Sequence, residues 1–208
     1  MIRHAFLATA ATALTVLRDP ALEDRWATPS ALPDFTTAGL ARHLANQVEH
    51  TATYLAAPPG PAAIPVLEHF TRNAWVTSGA DSPDNVDIRR RGEHAATSTS
   101  AAGLADVVAA ALTELRAVLP AQPADRIVDL GDWGLAVDDF LLTRLVELVV
   151  HVDDLAVSLD RPTPPIDPAA AAATIDLLSR VATWRHGPLP VIRALARHER
   201  SAGSIAAF

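Results

Sequence analysis

The run from Val137 to Leu159 constrains this chain more than any other stretch. It is the most apolar segment and reads as one long helix, ended by Pro162, Pro164 and Pro165, which lack the amide a helix needs. One face nevertheless carries Arg144, Glu147, His151 and Asp154. Glu147 and His151 are four apart, so their side chains stack one turn apart on the same face. Such groups are costly to bury unpaired in an apolar bundle. The fold must supply compensation: an ion pair with Arg144, a hydrogen-bond network, or a divalent metal. Imidazole and carboxylate together suit borderline and hard cations, and bundles build such sites from facing helices. An E-x-x-x-H spacing alone is a weak signal, because eight histidines leave room for coincidence.

The rest of the chain favours an all-α fold around this helix. Alanine is far above ordinary usage, and β-branched clusters are few. At 208 residues the chain is long enough to bury a core without staples. Proline and glycine clusters divide it into helices over about 2–17, 36–57, 62–76, 101–119, 137–159, 167–186 and 189–200. Thr36 or Thr37 is the expected cap of the second helix, and Asp167-Pro168 opens the sixth. Leu104, Val108, Leu112 and Leu115 form one stripe of the fourth. Residues 78–87 are turn-rich, and Ile127–Leu135, with Gly131 and Gly134 around Trp133, reads as a short hairpin or a loop. The expected division is a bundle over 1–160 and a helical extension over 161–208. An apolar stripe on the last two helices would support a homodimer.

Composition excludes several functions. There is no cysteine, which removes disulfides, cysteine zinc sites, iron–sulfur clusters and a cysteine nucleophile. A net charge of -7 argues against nucleic-acid binding, which needs a basic face. No apolar run reaches the ~20 residues of a spanning helix. The apolar stretch from Ala5 to Val16 after Arg3 reads as a first helix rather than a signal peptide, because Ile2, Phe6, Ala10, Ala13 and Leu17 keep helical spacing. The expected location is the cytoplasm, with no membrane partner.

A catalytic zinc site usually takes three protein ligands and keeps one position open, so a third must come from another helix. The second helix offers His43 and His50, seven apart on one face and roughly 10 Å apart along the axis, too far for both to bind one ion. Spacing does not choose between them. Asp154 suits an acceptor that orients the His151 ring. His4, His69, His94, His186 and His198 are read as surface or satisfied histidines. Trp26, Trp75 and Trp133 are read as packing, and Arg89-Arg90-Arg91 as a solvated face.

Two segments carry a family resemblance. Leu32-Pro33-Asp34-Phe35-Thr36-Thr37 through Arg42-His43-Leu44 is similar to a pattern L-x-G-W-[ST] followed by A-H-[LV]. Arg144-Leu145-Val146-Glu147 through His151-Val152-Asp153-Asp154-Leu155 is similar to R-x-x-E-x-x-x-H-x-x-D-L. In this order they resemble the mycothiol-dependent maleylpyruvate isomerase family, within the DinB-like metal-binding four-helix bundles. The resemblance covers roughly residues 1 to 160. It implies a DinB-like four-helix bundle with additional C-terminal helices, and it selects His43, Glu147 and His151 as ligands of Zn2+ or another divalent metal such as Ni2+.

The chain also departs from that family. Phe35 stands for tryptophan. Asp84 of Asp84-Asn85-Val86-Asp87-Ile88 stands for an arginine thought to hold the anionic substrate. Residues 167–208 read as helices where the isomerase has a small mixed α/β domain. The function implied is a zinc-dependent enzyme that activates mycothiol for thiol transfer to, or isomerisation of, a small electrophilic substrate. Arg144 and His50 are the candidate catalytic residues, with His50 shuttling protons, and Arg89 and Arg90 are candidates for holding the thiol cofactor. With no cysteine in the chain, the sulfur must arrive with that cofactor. All 17 strong bases are arginine, a bias that fits the GC-rich actinobacteria that make mycothiol. A metal-dependent hydrolase on the same bundle and a non-catalytic metal-binding helical protein are the competing readings.

Overall fold

The computed structural model describes residues 1–60, 62–73, 76, 82–201 and 203–208, without the side chains of 84, 85, 88 and 198. Trp75, the first part of the 78–87 stretch, the side chains of Asp84, Asn85 and Ile88, and the His198 ring lie outside the described residues. The helices are α1 (Ile2–Leu17), α2 (Ala21–Asp24), α3 (Thr37–Ala56), α4 (Val66–Arg72), α5 (Pro83–Ala96), α6 (Ala101–Val118), α7 (Val137–Ser158), α8 (Pro168–His186) and α9 (Pro188–Ala196).

The fold is an all-α four-helix bundle of the DinB-like kind. α1 packs on α6 and α7, and α3 packs on the same two helices. The core between them is closed by Phe6, Leu40, Leu44, Leu104, Leu112, Phe140 and Leu141, each almost fully buried. The stripe on α6 is buried as its spacing requires, with Leu104, Val108, Leu112 and Leu115 inside. α8 lies against α7 and α1, and α9 folds back on α8. No described helix is long and apolar enough to cross a membrane.

Residues 127–136 form a hairpin. β1 (Ile127–Asp129) pairs antiparallel with β2 (Gly134–Ala136), with Val128 opposite Leu135. Gly131, at φ 94°, takes the left-handed turn position.

The expected helix over 62–76 is shorter, with described bounds Val66–Arg72. Pro65 forces the residue before it out of helical geometry. Ala62 to Ile64 therefore run extended and bond to Gly134 instead. The later part of the turn-rich 78–87 stretch is helical, because α5 starts at Pro83, a residue preformed for a first turn. The last helix stops at Ala196 and is followed by a short 3-10 turn over His198–Arg200.

Caps settle where α3 and α8 begin. The Asp167 carboxylate accepts from the amides of Ala169 and Ala170. The Thr36 hydroxyl oxygen accepts from Gly39 N, and its own proton goes to the Glu93 carboxylate of α5, which also accepts from Thr36 N at 2.8 Å. A β-carbon at position 39 would overlap that carboxylate, so a larger residue there pushes the Glu93 clamp aside. Thr36→Ala is expected to cost about 1–2 kcal/mol, the upper range for a lost cap. Urea unfolding measures this, and an unchanged midpoint would show that the Thr36–Glu93 clamp carries no stability.

Candidate metal centre

The centre is built where α3 faces α7. Pro33 and Asp34 form the corners of a tight turn closed by Phe35 N donating to Leu32 O. Asp34 sits at φ 63°, the left-handed position where the family pattern has glycine. The turn delivers Phe35 against the His43 ring, edge to face with centroids 6.2 Å apart. The first sequence motif is thus a device that sets the start of α3 and the side of His43.

His43, Glu147 and His151 converge, each partly buried, with one ligand atom from each within 4.8 Å of the others. Both imidazoles aim Nε2 at one carboxylate oxygen, Glu147 Oε2, at 3.0 Å from His43 and 3.3 Å from His151. The two rings meet edge to face at 4.7 Å. On the far side of His151, Nδ1 lies 2.9 Å from Asp154 Oδ2. That contact holds the ring with Nε2 inward, the arrangement that metal-bound histidines commonly show.

Electrostatics follow from these bonds. Burial raises the Glu147 carboxyl, but hydrogen bonds from His151 and His43 outweigh it and hold it well below the usual carboxylate range. Burial lowers the His151 imidazole, while its bonds to Asp154 and Glu147 prevail and push it up to about 9. The two carboxylates thus favour the protonated form of His151. Two imidazoles and a carboxylate this close fit one divalent ion, since zinc takes nitrogen and oxygen at about 2 Å.

Residues 7–156 match the family model described as the mycothiol maleylpyruvate isomerase N-terminal domain. The chain belongs to this family. No curated protein and no solved structure matches it.

In this isomerase-family bundle Arg144 does not pair with Glu147. Its Nη1 donates to Gln47 Oε1 at 2.9 Å and its Nε to Thr143 Oγ1 at 3.1 Å. Gln47 in turn donates to the His43 carbonyl at 3.0 Å. Gln47 is a support that sequence reading missed; its position one turn after His43 was the available signal.

His50 is exposed near the end of α3 and lies outside the converging triad, although its ring feels the charges of Arg144 and His43. The arginine run splits. Arg89 is largely buried, 3.7 Å from the Asp34 carboxylate, whereas Arg90 is solvated and bonds Asp87. His69 is satisfied at Nδ1, within a core contact rather than at the surface: it is buried and accepts from Trp133 Nε1 at 3.0 Å.

Proposed function

We propose that this protein is a zinc-dependent enzyme that uses mycothiol for thiol transfer to, or isomerisation of, a small electrophilic substrate. The observation that carries this reading is the convergence of His43, Glu147 and His151 in a member of the mycothiol maleylpyruvate isomerase family. These three residues would hold the cation, and a divalent cation supplies stabilisation of the thiolate form of an incoming thiol.

The chain's own groups do the rest. Asp154 keeps the His151 ring turned inward. Arg144, positioned by Gln47 and Thr143, holds an anionic part of the substrate, because a guanidinium matches carboxylate geometry. Arg89 and Arg90 hold the thiol cofactor along α5. His50, open to solvent at the rim, carries protons. The protein works in the cytoplasm, and two copies pair through the late helices, where Ile175, Leu189, Ile192 and Leu195 are exposed.

Metal analysis of the purified protein combined with a mycothiol titration tests the reading. Stoichiometric zinc or nickel is expected, with mycothiol binding that disappears after chelation. Absence of metal, with no thermal shift on adding zinc or nickel, would sink every metalloenzyme reading. Metal without thiol binding would favour hydrolysis on the same bundle, with water in place of the thiol.

A further inference from the structure

Two segments aim the imidazoles of the candidate centre. Residues 28–37 deliver Phe35 to the His43 ring, and the last turns of α7 deliver Asp154 to His151. One buried side chain joins the two segments directly. Ser158, the last residue of α7, is only 7% exposed. Its hydroxyl donates to Asp154 O at 2.7 Å and accepts from Ala31 N at 2.9 Å. A hydroxyl has one proton and two lone pairs, so both bonds coexist. The residue it grips by the carbonyl is the one whose carboxylate lies 2.9 Å from His151 Nδ1.

Both ends of this tie are fixed. A helix leaves its last four carbonyls open, and at the end of α7 all four are taken. Leu155 O accepts from Leu159 N, Val157 O from Asp160 N and Ala156 O from Arg161 N, with Asp160 making the left-handed turn at φ 52°. Ser158 O accepts from Arg25 Nη1 at 3.1 Å, and Arg25 also pairs with Asp160.

On the other side, residues 28–37 double back on themselves. Thr37 N donates to Thr28 O at 2.8 Å and Ser30 N to Phe35 O at 2.9 Å, around an antiparallel bridge between Pro29 and Thr36. Ala31 therefore neighbours the residue that is bonded to Phe35. Two further ties of this segment, Thr36 to Glu93 and Asp34 to Arg89, run to α5. Among the described residues, the bond from Ala31 to Ser158 is its one hydrogen bond to α7.

We infer that Ser158 is a positioning residue of the candidate centre. Its hydroxyl locks the turn that seats Phe35 on His43 to the turn of α7 that seats Asp154 on His151. Ser158 acts through these neighbours and sets how the two imidazoles, which come from different helices, face each other. Its importance for metal binding rests on the functional reading above, whereas its effect on the rings does not.

The test uses the full-length protein with isotope-labelled histidine, first metal-free and then titrated with zinc. Ser158→Ala removes both bonds of the hydroxyl. The His43 ring signal of the metal-free protein is expected to move, because the ring current of Phe35 no longer reaches it in the same geometry. Zinc affinity is expected to fall about fivefold, the size of one lost neutral hydrogen bond. Ser158→Thr keeps the hydroxyl and restores both readouts. Ser158→Val has the shape of threonine without the hydroxyl and restores neither. In the unaltered protein the Ala31 amide, although its residue is exposed, is expected to be protected from hydrogen exchange. An unmoved His43 signal in folded Ser158→Ala, rescue by Ser158→Val, or an Ala31 amide that exchanges like an open loop would overturn the proposal, and the last of these needs no variant to fold. Protein that takes up no zinc yet shows the His43 displacement refutes the metal reading and upholds the tie. Zinc uptake with an unmoved His43 ring does the reverse.

Discussion

If the centre holds zinc as proposed, His43→Ala is expected to lose it on dialysis, with affinity falling by more than about 100-fold, beyond what loss of a supporting partner costs. The reason is where the donors come from. Glu147 and His151 share one face of α7, and His43 is the single member of the triad supplied by α3. Without it, a cation bound as proposed would keep only the two protein donors of α7. The His43 side chain is 22% exposed, so alanine opens no sealed cavity and the bundle stays folded. Elemental analysis after dialysis, with circular dichroism as the folding control, decides the matter. Unchanged metal content in His43→Ala would remove His43 from the ligand set and return His50 to consideration.

If the centre holds zinc as proposed, its affinity is expected to fall about tenfold for each pH unit below 9 through the His151 proton alone. His151 titrates at about 9 without metal, so across this range it carries a proton that zinc must displace. Glu147 is already ionised and releases none. Calorimetry in buffers of different ionisation enthalpy reads the released proton directly, and zinc binding without proton release would refute the imidazolium. Asp154→Asn replaces a charged acceptor at Nδ1 with a neutral one, brings the imidazole toward its ordinary range, and flattens the dependence at its upper end. The sign for folding is opposite. The metal-free His151 is raised above its unfolded value of 6.5, so its stabilisation is complete below that pH and is lost as pH rises through about 9. Thermal unfolding of the metal-free protein at pH 6.5 and pH 9.5 measures that loss.

Much of the fold was legible because helical periodicity and proline or glycine punctuation are local. The ends of α1, the Asp167-Pro168 start of α8 and the buried stripe of α6 follow from residues within one or two turns. The 62–76 segment departed from its pattern because Pro65 and a long-range pairing with Gly134 compete with helix at its start. The candidate centre divides in the same way. Glu147, His151 and Asp154 lie on one helix, so their mutual geometry is set by a spacing of three or four. Gln47 as the tie between His43 and Arg144, and Trp133 as the partner of His69, link residues 97 and 64 positions apart, and no periodicity encodes such a link.

Sequence by itself determined an all-α chain, an apolar helix with a titratable face that had to be compensated, and a site without sulfur ligands. Family resemblance, and not spacing, chose His43. Tertiary structure decided that Glu147 is compensated by two imidazoles and not by Arg144, that His50 stays outside the triad, and that His69 is buried against Trp133. The physical reason is that helix formation and amphipathic faces are local properties of the chain. Which donor meets which carboxylate depends on how α3, α4 and α7 pack, and that packing is set by side chains far apart in sequence.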